Sequence, residues 1–385
     1  MEKRIREFLA GREEEGLLRS LKEVFPLGTS RILSGGREFI NFSSNDYLAL
    51  ASHPGLAEAV RKASSPVTGS TSSRLLSGST HLHHALERKV SDFKGKEAAL
   101  VFNSGYQANV GIISALSARD DAVFSDRLNH ASIIDGIRLS GAKLFRFRHN
   151  DTAHLRELLK KERHKYSSSL IVTETVFSMD GDIAPLEEIV TLKKEYDSML
   201  MVDEAHATGI FGRNSSGIVE EKSLTSEVDI IMGTFSKALG SFGSYAATSR
   251  LVRDYLVNTS RSFIYSTALP PAVIAADIAA LDLVRKESYR REVLLANASY
   301  FRTKLQQNGF SVRGQSQIIP VITGENDRAG SFSRHLMEKG YWVLPLRPPT
   351  VPEGEARLRL SITFDHTKEI LDEFLEELIR LENTL

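Results

Sequence analysis

A series of short, almost uniformly apolar runs, separated by helix-length segments, most constrains what this chain can fold into. Such runs lack the alternation of a half-exposed strand, so they indicate strands that are covered on both faces. Strands of this kind, joined by helices, are typical of a mostly parallel sheet in an α/β fold. The runs are Ala98–Phe102, Ala122–Phe124, Lys143–Phe145, Leu170–Glu174, Met199–Asp203 and Val228–Met232, and the helices predicted between them include Gly105–Leu116 and Thr152–Glu162.

The pattern differs at the two ends of the chain. The start predicts an amphipathic helical segment, and Gly35-Gly36 predicts a hairpin turn between short strands. After Pro270-Pro271, long helices lead into a smaller α+β region. We therefore predict an N-terminal segment over residues 1–48, a large domain over 49–280 and a small C-terminal domain over 281–385. The side chains that could line the apolar face of the first helix are Ile5, Phe8, Leu9, Leu17, Leu18 and Leu21.

Composition argues against several classes of function. Lys and Arg together number 49, as do Asp and Glu, so the net charge of +0 gives no global field for nucleic acid or an anionic membrane. The chain has no cysteine, which excludes disulfides and thiolate catalysis. No apolar run is long enough to span a bilayer, and the charged N-terminus lacks the apolar centre of a signal peptide. We therefore expect a cytoplasmic protein without nucleic-acid or membrane partners.

Lys237 and Asp203 together indicate a cofactor site. Lys237 lies in the segment Gly233–Gly240, where a lysine among small and hydroxylated residues could form a Schiff base with an aldehyde. Thr234 and Ser236 of this segment could bind a phosphate. Asp203 ends an apolar run, where it could keep a pyridine nitrogen protonated. Either residue alone would more simply be a turn lysine or a helix cap, but the pair predicts a pyridoxal-phosphate (PLP) site.

Other polar residues follow the same predicted strands. Gly105 opens a helix whose amides suit a phosphate, although an ordinary helix start would have the same sequence. His130 could be a helix cap or a catalytic group, and the segment from Ser178 could be a simple tight turn. Because the carboxyl ends of parallel strands meet at one edge of a sheet, we expect these residues to share a site. The candidates are Gly105, Tyr106, His130, Glu174, Ser178, Asp203 and His206.

Five segments carry a resemblance to a known family: Asn41–Leu48, Asn129–Ser132, Thr173–Asp182, Val202–His206 and Thr234–Gly240. They resemble the α-oxoamine synthases, fold-type I PLP enzymes that condense an amino acid with an acyl-CoA and release CO₂. The resemblance covers essentially the whole chain. It implies an α/β fold-type I transferase, with a mostly parallel central sheet, a smaller α+β C-terminal domain and an N-terminal helical segment. The branch that condenses L-alanine with pimeloyl-CoA in biotin biosynthesis is favoured by further motifs, His149-Asn150-Asp151, Ile264–Thr267 and Arg347–Pro352.

The resemblance implies a role for each residue at the cofactor. Lys237 would carry the cofactor and move the α-proton of the amino acid, while Asp203 would pair with the pyridine nitrogen. His130 would stack on the ring and His206 would contact the ring oxygen. Thr267 would reach the phosphate from a second subunit, so the resemblance implies a homodimer with shared active sites. The remaining cofactor contacts are expected at Gly105, Tyr106, Glu174, Ser178, Thr234 and Ser236.

The resemblance also implies contacts with the amino acid and acyl-CoA substrates. Arg359 would hold the amino acid carboxylate, because a guanidinium offers a planar fork of donors. Asn45 and Thr350 would lie near the substrate. Arg19 and Arg347 would bind the acyl-CoA or its carboxylate tail, although Arg347 could equally belong to a solvated basic strand edge.

Alternatives to the pimeloyl branch remain. A sister enzyme such as 2-amino-3-ketobutyrate CoA ligase, which uses glycine and acetyl-CoA, would share the cofactor site and differ only in substrate selectivity. A catalytically silent partner subunit would be expected to lack Lys237. The segment Gly69–Arg74 has serines where the family commonly has glycines, which leaves its substrate contacts open. His81, His83 and His84 are expected at an exposed helix start, and no metal is predicted.

Overall fold

The computed structural model describes residues 1–28, 30–63 and 67–384. Within these residues the chain forms three β-sheets, and no helix there is long and apolar enough to cross a membrane. The strands are β1 (Phe25–Pro26), β2 (Arg31–Ser34), β3 (Arg37–Asn41), β4 (Ala98–Phe102), β5 (Ala122–Asp126), β6 (Lys143–Phe147), β7 (Ser169–Glu174), β8 (Met199–Asp203), β9 (Ile230–Thr234), β10 (Ser244–Thr248), β11 (Ile318–Gly324), β12 (Tyr341–Trp342), β13 (Pro345–Leu346) and β14 (Ala356–Ser361). The helices are α1 (Glu2–Glu14), α2 (Pro54–Ala63), α3 (His81–Lys94), α4 (Gly105–Leu116), α5 (Ala131–Ser140), α6 (Thr152–Glu162), α7 (Leu186–Glu195), α8 (Ile218–Glu221), α9 (Arg250–Thr259), α10 (Arg261–Ile264), α11 (Pro271–Lys286), α12 (Tyr289–Gln307), α13 (Asn326–Glu338) and α14 (Lys368–Glu382), with a short 3-10 helix at Arg163–Lys165.

The largest sheet has seven strands in the order β4-β10-β9-β8-β7-β5-β6. Strand β10 runs antiparallel to β4 and β9, and the other neighbouring pairs are parallel. The mostly parallel sheet predicted from the apolar runs is therefore confirmed, with small differences at the strand ends. The sequence did not indicate β10, because its residues Ser-Tyr-Ala-Ala-Thr are too small and polar to form an apolar run.

Helices cover both faces of this sheet, as the uniformly apolar strands predicted. Successive residues of a strand point to opposite faces. Val101 and Val202 pack into one buried cluster, whereas Leu100 and Met201 pack into another on the opposite face. Full burial of one such side chain is worth roughly 1.5–3 kcal/mol, so the two clusters stabilise the sheet from both faces.

Two smaller sheets complete the fold. One has the order β11-β14-β13 with antiparallel neighbours, and the other has the order β1-β2-β3-β12. Gly35 and Gly36, with φ of 56° and 76°, form the turn between β2 and β3, which confirms the predicted hairpin. Strand β12 runs parallel to β3 and so joins the N-terminal strands to the C-terminal part of the chain. The domain boundaries after residues 48 and 280 remain predictions.

The first helix is shorter and more exposed than the sequence predicted. It ends at Glu14, and none of its residues is buried. The predicted apolar face continued through Leu21, but Leu17, Leu18 and Leu21 lie outside any helix. Gly16 has a φ of 63°, a left-handed conformation that commonly follows a helix end. The prediction of one longer helix is therefore wrong.

The three histidines near the start of α3 were expected to be exposed, and this is wrong for His83. His83 is buried, and its Nδ1 lies 2.9 Å from Thr80 Oγ1, where it completes a capping box. Burial, with the charge of Arg74 nearby, lowers the pKa of His83 to about 4. His83 therefore closes the helix start as a neutral side chain.

Candidate active site

Polar side chains from several strand ends meet around one cavity of about 180 Å³ at the carboxyl edge of the large sheet. The segments that follow β4, β5, β7, β8 and β9 all contribute to it. Of the residues predicted at the cofactor, all except Ser178 and Thr267 line this cavity. The lining residues are Gly105, Tyr106, Asn109, His130, Ser132, Glu174, Asp203, Ala205, His206, Met232, Thr234, Ser236 and Lys237.

Asp203, the last residue of β8, has a carboxylate with a fixed orientation. Its Oδ2 accepts a hydrogen bond of 2.9 Å from Asn109 Nδ2, and its Oδ1 accepts one of 2.8 Å from the backbone N of Ala205. Asn109 Nδ2 also donates to Ser132 Oγ at 3.0 Å, which ties α4 to α5. Asp203 is only 5% exposed but borders the cavity, so it presents its negative charge to any group bound there.

Lys237 begins a chain of hydrogen bonds that leads out of the cavity. Its Nζ lies 2.7 Å from His206 Nε2, and His206 Nδ1 lies 2.8 Å from the Tyr47 hydroxyl. That hydroxyl donates to Asn45 Oδ1 at 3.0 Å. Gln317 Nε2 donates to the His206 carbonyl at 2.9 Å and fixes the backbone at the centre of the chain. The amine is thus held in place by an imidazole and a phenol.

Burial has the largest effect on the protons of these groups. It lowers the pKa of Lys237 to about 8, against the attraction of Asp203 and Glu174. It raises the pKa of Glu174 to about 8, with the repulsion of Asp203 adding to the effect. Burial also lowers the pKa of His206 well below its ordinary value and lowers that of His130. The site therefore contains an amine that loses its proton readily, beside two neutral imidazoles.

One part of the cavity offers uncharged donors for an anion. Gly105 opens α4, where Ser104 Oγ accepts a hydrogen bond of 3.3 Å from the backbone N of Gln107. The other amides of a first helical turn have no partner within the helix. Thr234 Oγ1 and Ser236 Oγ also border the cavity and lie 2.7 Å apart, and Thr234 Oγ1 donates to the Gly243 carbonyl at 2.7 Å. A helix start and hydroxyl groups of this kind suit a phosphate.

Arg359 on β14 connects the small antiparallel sheet to this site. Its Nη2 donates to Asn45 Oδ1 at 3.2 Å and to the Tyr47 hydroxyl at 3.3 Å. Its Nη1 donates to Ser361 Oγ at 2.7 Å, and its Nε donates to the Ser178 carbonyl. Because Tyr47 also contacts His206, the structure brings Asn45 and Arg359 close to the residues around Lys237.

A larger groove of about 790 Å³ adjoins the cavity and shares His130 with it. Ser178 lines this groove rather than the cavity, and Thr350 also lines it. Arg127 and Arg146 are exposed there, and among the described residues neither side chain has a hydrogen-bond or ion-pair partner. The groove therefore presents positive charge that is not neutralised.

Arg19 and Arg347, which were predicted with Arg359 to contact the substrates, lie in a second groove of about 610 Å³. Arg347 Nη1 donates to the Gly16 carbonyl at 2.5 Å, and Arg19 Nη2 donates to Thr350 Oγ1 at 3.4 Å. Neither arginine lines the cofactor cavity. Thr350 borders both grooves, so the segment after α1 lies against the same loop that closes the groove next to His130.

Thr267 also lies away from the cavity within one chain. Its carbonyl accepts a hydrogen bond of 2.8 Å from Asn103 Nδ2, and it pairs with Ser73 in an isolated β-bridge. The contact from a second subunit that the sequence predicted for Thr267 stays a prediction.

Several polar residues of the site were not predicted to act there. Asn109 follows Gly105 by four residues, a spacing that puts both on one face of α4, so a signal was present in the sequence. Gln317 gave no such signal, because its place beside His206 depends on contact between distant parts of the chain. Tyr47 was noted only as part of a motif.

This fold and this set of site residues define a fold-type I PLP-dependent transferase. The chain belongs to the aminotransferase class I and II family, whose model matches residues 37–378. Among curated proteins, 8-amino-7-oxononanoate synthase of Trichlorobacter lovleyi is 50% identical over 378 residues, which cover 97% of this chain and 96% of that protein. The protein of the same name from Geobacter sulfurreducens is 48% identical over 376 residues, covering 97% and 96%.

Solved structures agree with this assignment. A serine palmitoyltransferase from S. paucimobilis with a bound PLP–myriocin aldimine is 30% identical, with a TM-score of 0.93 over 99% of this chain and 97% of that chain. An 8-amino-7-oxononanoate synthase from Francisella tularensis is 28% identical, with a TM-score of 0.77 over 90% and 98%. The fold class and the family resemblance predicted from the motifs are confirmed.

Proposed function

We propose that the protein catalyses the PLP-dependent decarboxylative condensation of L-alanine with pimeloyl-CoA, giving 8-amino-7-oxononanoate, CoA and CO₂ for biotin biosynthesis. Relatives named 8-amino-7-oxononanoate synthase that are 50% and 48% identical to this chain support the proposal. One structural observation carries the proposal: the cavity around Lys237 continues at His130 into a groove of about 790 Å³. A volume of this order suits a large organic ligand, which a two-substrate condensation requires.

The residues around the small cavity fit PLP. Asp203 offers a buried carboxylate for the pyridine nitrogen, and Thr234 and Ser236 offer hydroxyls for the phosphate. Gly105 leaves open space at the start of α4, where an added Cβ would approach only Met232 Cε, at 4.0 Å. When bound, PLP supplies an electron sink for negative charge on the α-carbon of the amino acid.

Lys237 is our candidate for taking and returning the α-proton. With a pKa of about 8 it is partly a free base near neutral pH, unlike an ordinary lysine. His206 stays neutral because burial lowers its pKa, so its Nε2 can accept a hydrogen bond from the Lys237 ammonium at 2.7 Å. In that tautomer His206 Nδ1 donates to the Tyr47 oxygen, and the imidazole orients the amine without competing for its charge.

Arg359 is our candidate for holding the carboxylate of L-alanine. Its guanidinium is fixed by Asn45, Ser361 and the Ser178 carbonyl, so its orientation is set before a substrate arrives. Its Nη1 carries two N–H groups and donates only one of them to Ser361, so a charged donor remains for a carboxylate. Such a contact would orient the bonds of the α-carbon for loss first of the proton and later of CO₂.

We assign the acyl-CoA to the groove next to His130. Arg127, Arg138 and Arg146 there suit the phosphates of CoA, because guanidinium groups bind phosphate oxygens in a bidentate manner. Arg19 and Arg347, in the adjoining groove, suit the terminal carboxylate of the pimeloyl chain. An acetyl group has no terminal carboxylate with which these two arginines could pair.

We further propose that the protein is a cytoplasmic homodimer, with Thr267 of each subunit contributing to the site of the other. We also propose that the chain divides into an N-terminal segment over residues 1–48, a large PLP-binding domain over 49–280 and a small C-terminal domain over 281–385.

The decisive experiment is a substrate panel. Glycine, L-alanine and L-serine are each paired with acetyl-CoA, heptanoyl-CoA and pimeloyl-CoA, and CoA release is measured. Heptanoyl-CoA is the matched control, because it has the same chain length as pimeloyl-CoA and lacks the terminal carboxylate. We expect L-alanine with pimeloyl-CoA to exceed glycine with acetyl-CoA by roughly 100-fold or more in kcat/KM, and heptanoyl-CoA to be poor. A preference for glycine with acetyl-CoA would overturn the proposed substrates.

A further inference from the structure

His149 lies between two carboxylates that belong to different parts of the chain. Its Nδ1 is 3.0 Å from Asp126 Oδ1, and its Nε2 is 2.6 Å from Asp182 Oδ2. Asp126 is fully buried at the end of β5, and the imidazole also packs edge-on against Phe177, with ring centroids 4.4 Å apart. His149 lines the groove next to His130, but none of the contacts proposed above with the cofactor or the substrates uses its side chain.

This geometry determines the charge of the imidazole. A neutral imidazole has one N–H, so it would direct a lone pair at one of the two carboxylates. Only the imidazolium can donate to both. Burial opposes the charge, but the hydrogen bonds to Asp126 and Asp182 outweigh it and raise the pKa of His149 to about 9.

Asp126 organises the segment that leads to His130. Its Oδ1 also accepts a hydrogen bond of 2.8 Å from the backbone N of Leu128, and its Oδ2 accepts one of 2.9 Å from the backbone N of Asn150. These bonds shape the turn after β5. The backbone N of His130 in turn donates to Glu174 Oε1 at 2.7 Å, inside the cofactor cavity.

Asp182 closes the turn that starts at Ser178. Strand β14 holds the start and the middle of this turn, because the Ser178 carbonyl accepts from Arg359 Nε and Asp180 Oδ1 accepts from Arg357 Nη1. The backbone N of Phe177 donates to the Asp182 carbonyl at 3.0 Å. A displacement of Asp182 would therefore also displace the residues at the start of the turn. Asp182 therefore links His149 to the residue proposed to hold the amino acid carboxylate.

We propose that His149 is a positioning residue whose imidazolium joins the His130 segment to the Ser178–Asp182 turn and so keeps the cofactor side and the Arg359 side of the site in register. This inference rests on the proposed function only for its kinetic consequences.

Neighbouring side chains do not supply the positive charge that His149 places between Asp126 and Asp182. The amide of Asn150 donates to the same Asp182 Oδ2 at 2.7 Å, but an amide carries no charge. Arg148 pairs with Asp151 at 2.7 Å. Arg127 and Arg146 line the same groove and have no ion-pair partner among the described residues, so their repulsion would favour the neutral imidazole. Asp126 and Asp182 contact the ring directly, and they raise its pKa despite its burial.

The direct test is an NMR titration of protein labelled with ¹⁵N-histidine, in wild type and in the variants His149→Gln, Asp182→Asn and His164→Gln. His164 is an exposed histidine and serves as the matched control. We expect the His149 signal, assigned by its loss in His149→Gln, to show two protonated nitrogens up to about pH 9. In Asp182→Asn the same titration should move to lower pH. Titration of wild-type His149 near 6.5 would overturn the inference.

Stability gives a second readout that is independent of catalysis. The pKa of His149 is raised in the folded state, so its charge stabilises the fold fully below about pH 6.5, and this contribution is lost as the pH rises through about 9. The midpoint of thermal unfolding of wild type should therefore exceed that of His149→Gln most in acid, and the difference should shrink above pH 9. A difference that does not change with pH would contradict the inference.

The kinetic test separates positioning from folding. In His149→Gln that retains PLP and a folded CD spectrum, we expect KM for L-alanine to rise at least about tenfold, with a smaller fall in kcat. In Asp182→Asn the alkaline limb of kcat/KM should move to lower pH together with the His149 titration. Unchanged KM in His149→Gln would refute the positioning role. If wild type transfers no acyl group from any thioester, the proposed function fails while the NMR result still stands.

Discussion

Lys237 is a buried amine whose neighbours act on its proton in opposite directions. Burial disfavours the ammonium, while the negative charges of Asp203 and Glu174 favour it. The balance falls on the side of burial and leaves the pKa at about 8. One lysine is thereby made both a nucleophile toward an aldehyde and a base for a carbon acid, tasks that an exposed lysine with a pKa near 10.4 performs poorly at neutral pH.

The lowered pKa predicts how the cofactor-free protein takes up PLP. Only the free amine attacks the aldehyde, so the rate constant for attachment should rise about tenfold per pH unit below pH 8 and level off above it. Borohydride reduction followed by peptide mass spectrometry should find the pyridoxyl group on Lys237, and Lys237→Ala is the control that should take up none. A rate that still climbs above pH 10, or a label on another lysine, would contradict this assignment.

The register of two neighbouring strands puts a pair of arginines in the groove next to His130. Strands β5 and β6 are parallel, with Ser125 opposite Arg146, so Arg146 lies beside the end of β5 that leads into Arg127. Both side chains are exposed without an ion-pair partner in the described part of the chain. The carboxyl ends of these strands thus supply charge to the groove, in the same way that other strand ends supply the cofactor cavity.

These arginines predict a difference between two thioesters. In the double variant Arg127→Ala/Arg146→Ala, KM for pimeloyl-CoA should rise roughly 10- to 100-fold, because a charge-assisted hydrogen bond is worth about 1.5–3 kcal/mol. Pimeloyl-pantetheine lacks the nucleotide phosphates, so its KM should barely change. Arg119→Ala, an exposed arginine before the amino end of β5, is the control. Equal losses with both thioesters would show that the pair does not bind the nucleotide.

The strand ends of the large sheet could be predicted from the sequence because the information there is local. Each apolar run fixes a buried strand, and the polar residue after it falls at the carboxyl edge whatever the rest of the chain does. Asp203, His130 and Lys237 were found in this way. The same argument accounts for the confirmed parallel sheet.

Features that depend on distant contacts could not be predicted in the same way. His149 was noted only as part of a motif, because its charge arises from Asp126 and Asp182, which meet only in the folded chain. The first helix was predicted too long, because its apolar residues continue at helical spacing beyond Glu14. The chain leaves the helical conformation at Gly16, which has a φ of 63°. Strand β10 is held by its two antiparallel neighbours rather than by its own composition.

In the whole molecule, large apolar side chains remain exposed near Thr267. Tyr265 is 72% exposed and Leu76 is 83% exposed. The Ser73–Thr267 bridge brings their segments together, and the backbone N of Leu76 donates to the Ser73 carbonyl at 3.2 Å. Monomeric proteins rarely leave such side chains grouped in water. A second copy of the chain covering this surface would also bring its own Thr267 segment toward the site, as the sequence predicted.

The homodimer is therefore predicted to be necessary for activity, and two variants can test it. Sedimentation velocity should give twice the mass of one chain.

Lys237→Ala removes the amine, and Thr267→Asp puts a negative charge where a phosphate is expected, so each variant alone should be inactive. If each site combines Lys237 of one subunit with Thr267 of the other, mixed dimers place both defects in one site and leave the second intact. Random mixing of equal amounts should then restore about a quarter of the wild-type sites. A fully active monomer, or mixtures that regain nothing although mixed dimers form, would exclude the shared site.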